Sequence, residues 1–122
     1  MSTGVRRTAL LSLEWGDVNL SERTLLVRAA TSKNERQYYV PLNDLAYETL
    51  SIWRRQSKRT SPGSLVFPSP QTGEIKDNCN TAWENLRKRA DIENFRWHDM
   101  RHDFASQLVM SGVDLNTVRE LL

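Results

Sequence analysis

Two histidines, two aspartates and two arginines crowd into FRWHDMRHDFAS, Phe95 to Ser106, with Phe95, Trp97 and Phe104 set between them. Three chemistries compete for the cluster. The charges can pair with one another along a solvated helix. A metal can sit between His98 and His102, which are four apart and share a helix face. HDMRH has the spacing of the HExxH zinc motif, with Asp99 in the place of glutamate. Against the metal, aspartate is one methylene shorter than glutamate, and the adjacent Arg101 repels a dication. The chain has only two histidines, so no third imidazole is available.

The third candidate is phosphate. His98 and Arg101 are three apart and can converge on one anion. The guanidinium grips two phosphate oxygens in a fixed plane, and the imidazole can donate or move a proton near neutral pH. A second arginine strengthens the case. Arg6 follows Thr3-Gly4 at an expected helix start, where free backbone N–H groups also favour an anion. Lys33, at the tip of the turn TSKNER, can complete the set, although alone it reads as a solvated turn lysine.

These residues need a scaffold. At 122 residues, with 39% hydrophobic and 26% charged content, the chain fits one domain with a modest core. VRRTALLSLEW over residues 5–15 spaces its leucines as a helix does. VNL, TLLVRAA and QYYVPL, separated by polar turns, predict a three-stranded antiparallel meander, closed by Pro41. Asn43 or Asp44 caps a helix over 45–58, with Leu45, Thr49, Ile52 and Trp53 inward. LVF forms a short buried stop within the loop SPGSLVFPSPQTGE. A helix over 80–90 shows Ala82, Trp83 and Leu86 as its apolar stripe. Another runs over 98–110, burying Phe104, Ala105, Leu108 and Val109, and Gly112 stops it as a left-handed cap. Asp114 caps LNTVRELL, after which no terminating signal follows, so the chain reads as a piece of a longer protein.

With 17 basic and 15 acidic residues the net charge is +2, which defines no basic face. The local clusters say more. Arg54, Arg55, Lys58 and Arg59 form one, and Arg87, Lys88 and Arg89 another. Cys79 is the single cysteine, which excludes a disulfide within the chain and a Cys-rich zinc site and suits a reducing compartment. No apolar run approaches the roughly 18 residues of a membrane span, and no signal peptide opens the chain. A cytoplasmic location is expected.

The motifs then fall into an order: TGVRR, LSLEWGDVNL, a strand–TSKNER–strand ending in VPLN, VFPS, HDMRHDFAS and SGVDLNTVRELL. This series, from Thr3 to Leu122, resembles the catalytic domain of the tyrosine recombinases, the phage integrase family. The fold implied is α+β, a small three-stranded antiparallel sheet packed with a helical bundle, of the DNA breaking-rejoining type. By this resemblance Arg6 matches the first catalytic arginine, Lys33 the lysine of the β-hairpin, and His98 and Arg101 the HxxR pair. His102 and Asp103 lie in the matching stretch with structural roles. The implied reaction is attack of a tyrosine hydroxyl on a DNA phosphorus, giving a 3′-phosphotyrosyl link, with no metal and no cofactor. The implied partners are double-stranded DNA, further recombinase protomers in a tetramer, and accessory DNA-bending proteins, which places the protein at the nucleoid. The two basic clusters become candidate DNA contacts.

The chain departs from the family's pattern twice. Where an acidic residue usually follows the first arginine by three, it has Ala9. It ends at Leu122, before the Gly-His pair and the nucleophilic tyrosine; Tyr38, Tyr39 and Tyr47 all precede HxxR and read as core or surface residues. The expectation is a partial catalytic domain, without an amino-terminal DNA-clamping domain or the tyrosine segment, that alone cannot cleave DNA. A resident resolvase shares this chemistry with an integrase. A binding-only protein of the same fold and a zinc hydrolase using HDMRH are the rivals of other classes.

Overall fold

The computed structural model describes residues 5–32, 34–75 and 79–121. It begins with a five-residue helix, α1 (Arg7–Leu11), much shorter than the helix expected over 5–15. Two causes end it, one local and one distant. The Ser12 hydroxyl donates back to the Thr8 carbonyl at 2.8 Å, and the next residues are drawn into pairing with a distant segment. The Val66 N–H donates to the Leu13 carbonyl (2.8 Å), Trp15 N–H to Ser64 (2.9 Å) and Gly16 N–H to Pro62 (2.8 Å). Leu11, Leu13 and Trp15 are buried, with Ser12 and Glu14 between them less so, an alternation of period two.

A 3-10 turn at Trp15–Asp17 leads into the meander: β1 (Val18–Asn19), β2 (Thr24–Val27) and β3 (Tyr38–Pro41), antiparallel in that order. Val18 faces Leu25, which faces Val40, while Val27 faces Tyr38. Those residues lie on the sheet's inner side; Tyr39, one step on, is exposed. Pro41 is the last paired residue, opposite Thr24.

Helix α2 (Asp44–Gln56) starts as expected, the Asn43 side chain accepting from the Ala46 N–H at 2.8 Å. Its inner face differs from the expected one. Ala46 and Leu50 are buried, whereas Leu45 and Ile52 are exposed and Trp53 lies at the rim, its indole N–H donating to the Val66 carbonyl at 2.6 Å. Val66, in the expected LVF stop, is fully buried. The core therefore sits between α1, the sheet, α2 and Val66, all from the first 66 residues.

The remaining helices are α3 (Asn80–Arg89), α4 (Trp97–Met110) and α5 (Leu115–Leu121). Helix α3 buries no residue: Ala82 and Leu86, expected inward, are exposed, and Trp83 is half-buried against Phe95 and Trp97. In α4, Phe104, Ala105 and Leu108 are half-buried, Val109 is exposed, and the one buried residue is Arg101. Gly112 takes the left-handed φ of 88°. Asp114 accepts from the Thr117 N–H and opens α5, which buries Val118. Among the described residues no helix is long and apolar enough to cross a membrane.

Candidate active site

Arg6 is the residue before α1, in extended conformation (φ −64°, ψ 146°), and its carbonyl accepts the first helical bond from Leu10 N–H at 2.9 Å. Its side chain thus leaves the chain where the core begins, one residue after the buried Val5. Arg101 approaches from the second turn of α4. Phe104, Ala105 and Leu108, on its helix face, are half-buried, and Arg101 itself is buried, at 8% exposure for the residue.

The two guanidinium groups are neighbours. Burial first, and the Arg6 charge second, push the Arg101 pKa below the ordinary arginine value; Tyr38, on the sheet's inner face, opposes the shift. Among the described residues the ion pairs are those of Arg23 with Asp44, Arg28 with Glu14 and Asp17, and Arg96 with Asp99, so neither Arg6 nor Arg101 meets a carboxylate. Buried charges are normally paired. Two adjacent unpaired guanidiniums form a site suited to an anion.

His98 stands one turn before Arg101, exposed, its ring edge-on to His102 with centroids 4.8 Å apart. Arg6, His98 and Arg101 line one cavity of about 650 Å³. Asp99 is committed elsewhere. It accepts from the Arg96 N–H at 2.7 Å and meets the Arg96 guanidinium at 3.2 Å, closing the start of α4. That backbone bond, then the guanidinium, hold its carboxyl below the ordinary value. Asp99 is therefore not placed as the base of a zinc motif, and among the described residues no group of three or more metal-ligating side chains converges.

Lys33 lies outside the described residues. The basic clusters are divided by the fold. Arg87 lines the cavity with Arg6 and Arg101; Lys88 and Arg89, also in the last turn of α3, are exposed away from it. Lys58 and Arg59 line a different, open groove beyond α2. Arg54 stacks over the Trp15 ring at 5.6 Å, and Arg55 is exposed in the last turn of α2. None of Tyr38, Tyr39 and Tyr47 lines the cavity. Tyr47 lies under the Arg23 guanidinium at 4.2 Å. Ala9 is buried in the apolar core, so its position presents no acid to the arginine pair.

Sequence reasoning missed Arg7, Trp83, Arg96 and Trp97 as cavity residues. A signal existed for the tryptophans: Trp97 is four residues before Arg101, and Trp83 four before Arg87, so each shares its arginine's helix face.

The fold agrees with what comparison with known proteins finds. The model of the phage integrase family matches residues 1–122. The integrase of Salmonella phage P22 is 34% identical over 128 residues, covering 99% of this chain and 33% of that protein. The tyrosine recombinase XerC of Xanthomonas axonopodis pv. citri is 33% identical over 123 residues, covering 99% of this chain and 39% of that protein. The chain thus spans well under half the length of these relatives. The crystal structure of XerA recombinase superposes with a TM-score of 0.79 at 26% identity, over 99% of this chain and 44% of that one. The Tn1549 transposon integrase, solved with circular intermediate DNA, shares the fold with a TM-score of 0.75 at 19% identity, over 98% of this chain and 46% of that one. With the family model matched along its whole length, this chain belongs to the phage integrase family.

Proposed function

We propose that the protein containing this chain is a site-specific DNA recombinase, and that these residues hold and activate the phosphate at which a strand is exchanged. The observation that carries the reading is the buried Arg101 beside Arg6, neither answered by a carboxylate among the described residues. In this reading a tyrosine hydroxyl attacks the phosphorus, the bond to the 5′-oxygen breaks, and a 3′-phosphotyrosyl ester forms. The guanidiniums of Arg6 and Arg101, fixed in advance, stabilise the negative charge that grows on the non-bridging oxygens. His98 takes up or relays the nucleophile's proton, and Lys33 gives one to the departing 5′-oxygen. The ester conserves the phosphodiester energy, so rejoining needs no ATP.

The tyrosine is assigned to sequence following Leu122, because the three present lie off the cavity. These 122 residues alone are then expected to bind DNA weakly and not to cut it. The partner is double-stranded DNA, on which full-length protomers act together as a tetramer. Arg87 is the basic-cluster residue best placed for a phosphate near the reacting one.

A second reading, a DNA-binding protein of the same fold without catalysis, draws on Ala9, which leaves the arginine pair without a nearby acid from α1. One experiment separates the two. The full-length protein is incubated in EDTA with nicked duplexes carrying its element's attachment site. A denaturation-resistant protein–DNA adduct, lost in both Arg6→Ala and Arg101→Ala, supports the recombinase. DNA binding without an adduct in the unaltered protein supports the binding-only reading.

A further inference from the structure

His98 is the second residue of α4, after Trp97. A side chain at a helix start has no preceding helical turn to lean on. Four residues back stands Asn94, outside the helix and in the left-handed conformation, φ 53°. The His98 imidazole is exposed, and among the described residues no hydrogen bond fixes it. Proton transfer needs a fixed aim, because a ring nitrogen must come within hydrogen-bond reach of the group it serves. An exposed, untethered imidazole instead divides its time among several rotamers.

His102 supplies a constraint. It lies one turn further along the same helix face, and helical side chains lean towards the N-terminus, so its ring covers the turn that carries His98. The two rings meet at 86° with centroids 4.8 Å apart. That is the separation of an edge-to-face aromatic pair, roughly 4.5–7 Å. The fixed Asp99 carboxylate is a neighbour of His102: its pKa is lowered first by the Arg96 backbone bond, then by the Arg96 guanidinium, and last by the His102 charge. His102 does not line the cavity that Arg6, His98 and Arg101 share. It reaches that cavity only through His98.

We infer that His102 is a positioning residue: its ring, edge-on to His98, holds that imidazole turned towards the cavity of Arg6 and Arg101. The inference rests on the proposed strand-exchange reading and deepens it, by naming what aims the proton-transfer group. Ring packing suits this task better than a hydrogen bond would. No hydrogen bond joins the two imidazoles, so the contact restrains His98 while leaving its nitrogens available for the nucleophile's proton.

The test uses full-length protein with nicked duplexes in EDTA, and compares His102→Ala with His102→Phe. Alanine removes the ring and is the best helix former, so α4 stays formed. Phenylalanine restores an edge-to-face contact without a titrating nitrogen. His102→Ala is expected to slow single-turnover adduct formation about three- to tenfold, with DNA affinity unchanged and the unfolding midpoint not lowered. His102→Phe should recover the rate. In a His98→Gln background, His102→Ala should cost nothing further, since there is no imidazole left to aim. The NMR signals of the His98 ring give a readout independent of activity: His102→Ala should shift them by removing the neighbouring ring. Equal slowing by alanine and phenylalanine would overturn the inference in favour of a chemical role for His102 itself. Losses that multiply in the His98→Gln background would overturn it too, as would His98 ring signals that stay in place. If the unaltered protein forms no adduct, the strand-exchange reading falls and the inference with it. If it forms one at a rate that His102→Ala leaves untouched, the reading stands and the positioning role alone falls.

Discussion

Arg101 lies buried beside Arg6, and among the described residues no carboxylate answers either charge. Folding gains nothing electrostatically from this arrangement. The half-buried Phe104, Ala105 and Leu108 carry Arg101 inward, and Arg6 is fixed by the start of α1. Stability and function should therefore separate at this residue. Arg101→Met keeps the length of the side chain and removes the charge. The expected effect on folding lies between none and a gain of about 2 kcal/mol, read from thermal or denaturant unfolding. Adduct formation should fall by about 10²–10³-fold or more. A variant that unfolds easily while the remaining folded protein still forms the adduct would show that Arg101 is a structural residue.

How much of this could be read from the sequence depends on whether local pattern or distant pairing decided each element. The meander was legible because its alternation and turn residues agree with its register, down to Pro41 as the last paired residue. Asn43 and Asp114 were legible as caps because a short polar side chain before an apolar run has a local partner. The inner face of α2 differs from the expected one because Leu45, Ala46, Leu50, Ile52 and Trp53 spread apolar surface around the helix; only Ala46 and Leu50 of these join the core cluster. Helix α1 was read too long because its leucines satisfy a helical spacing, while LSLEW also alternates, and pairing with residues 62–66 selected the alternation. The site was legible as residues, in Arg6, His98 and Arg101. The wall of Trp83, Arg87 and Trp97 depends on how α3 meets α4, which neither helix encodes alone.

Arg28 ties the end of β2 to the turn at Trp15–Asp17. Its guanidinium donates to the buried Asp17 carboxylate and to Glu14, each at 2.8 Å, and these two bonds, Glu14 first, raise its pKa. Asp17 also accepts from the Glu14 N–H at 3.1 Å. Asp17→Ala strands that N–H and is expected to cost about 1–3 kcal/mol; the loss stays modest because Arg28 is half exposed and re-hydrates. Asp17→Asn keeps an acceptor for the N–H and should cost less. Equal losses for the two variants in denaturant unfolding would mean that the charge of Asp17, not its capping bond, is what matters.

Gly16 is required by a close approach. A Cβ at this position would stand 2.8 Å from the Pro62 carbonyl oxygen and 3.2 Å from the Pro62 side chain, and the Gly16 N–H is bonded to that same carbonyl. Gly16→Ala must push apart the two segments that hold Trp15 and Val66 in the core. The expected cost is about 1–3 kcal/mol, visible as a lower unfolding midpoint. Gly63→Ala, where a Cβ meets nothing within 4 Å, is the control and should leave the midpoint nearly unchanged. A tolerated Gly16→Ala would mean that the Pro62 turn can move freely.

Strong acid should release the start of α4. Asp99 accepts from the Arg96 N–H and guanidinium, and both bonds hold its pKa below the ordinary 3.8. A depressed carboxylate favours the folded state when ionised. Its contribution is complete above the unfolded value of 3.8 and is lost as pH falls through the lower folded value. His98 and Arg101 follow this cap directly, so protonation of Asp99 loosens the segment that aims both. The NMR titration of the Asp99 carboxyl should have its midpoint below 3.8, with the Arg96 amide signal moving in step. Asp99→Asn should abolish that step and leave the Arg6–Arg101 pair in place at neutral pH. An Asp99 midpoint at or above the ordinary value would mean that the cap is not formed in solution, and that something other than Arg96 fixes the direction in which α4 presents its histidine and arginine.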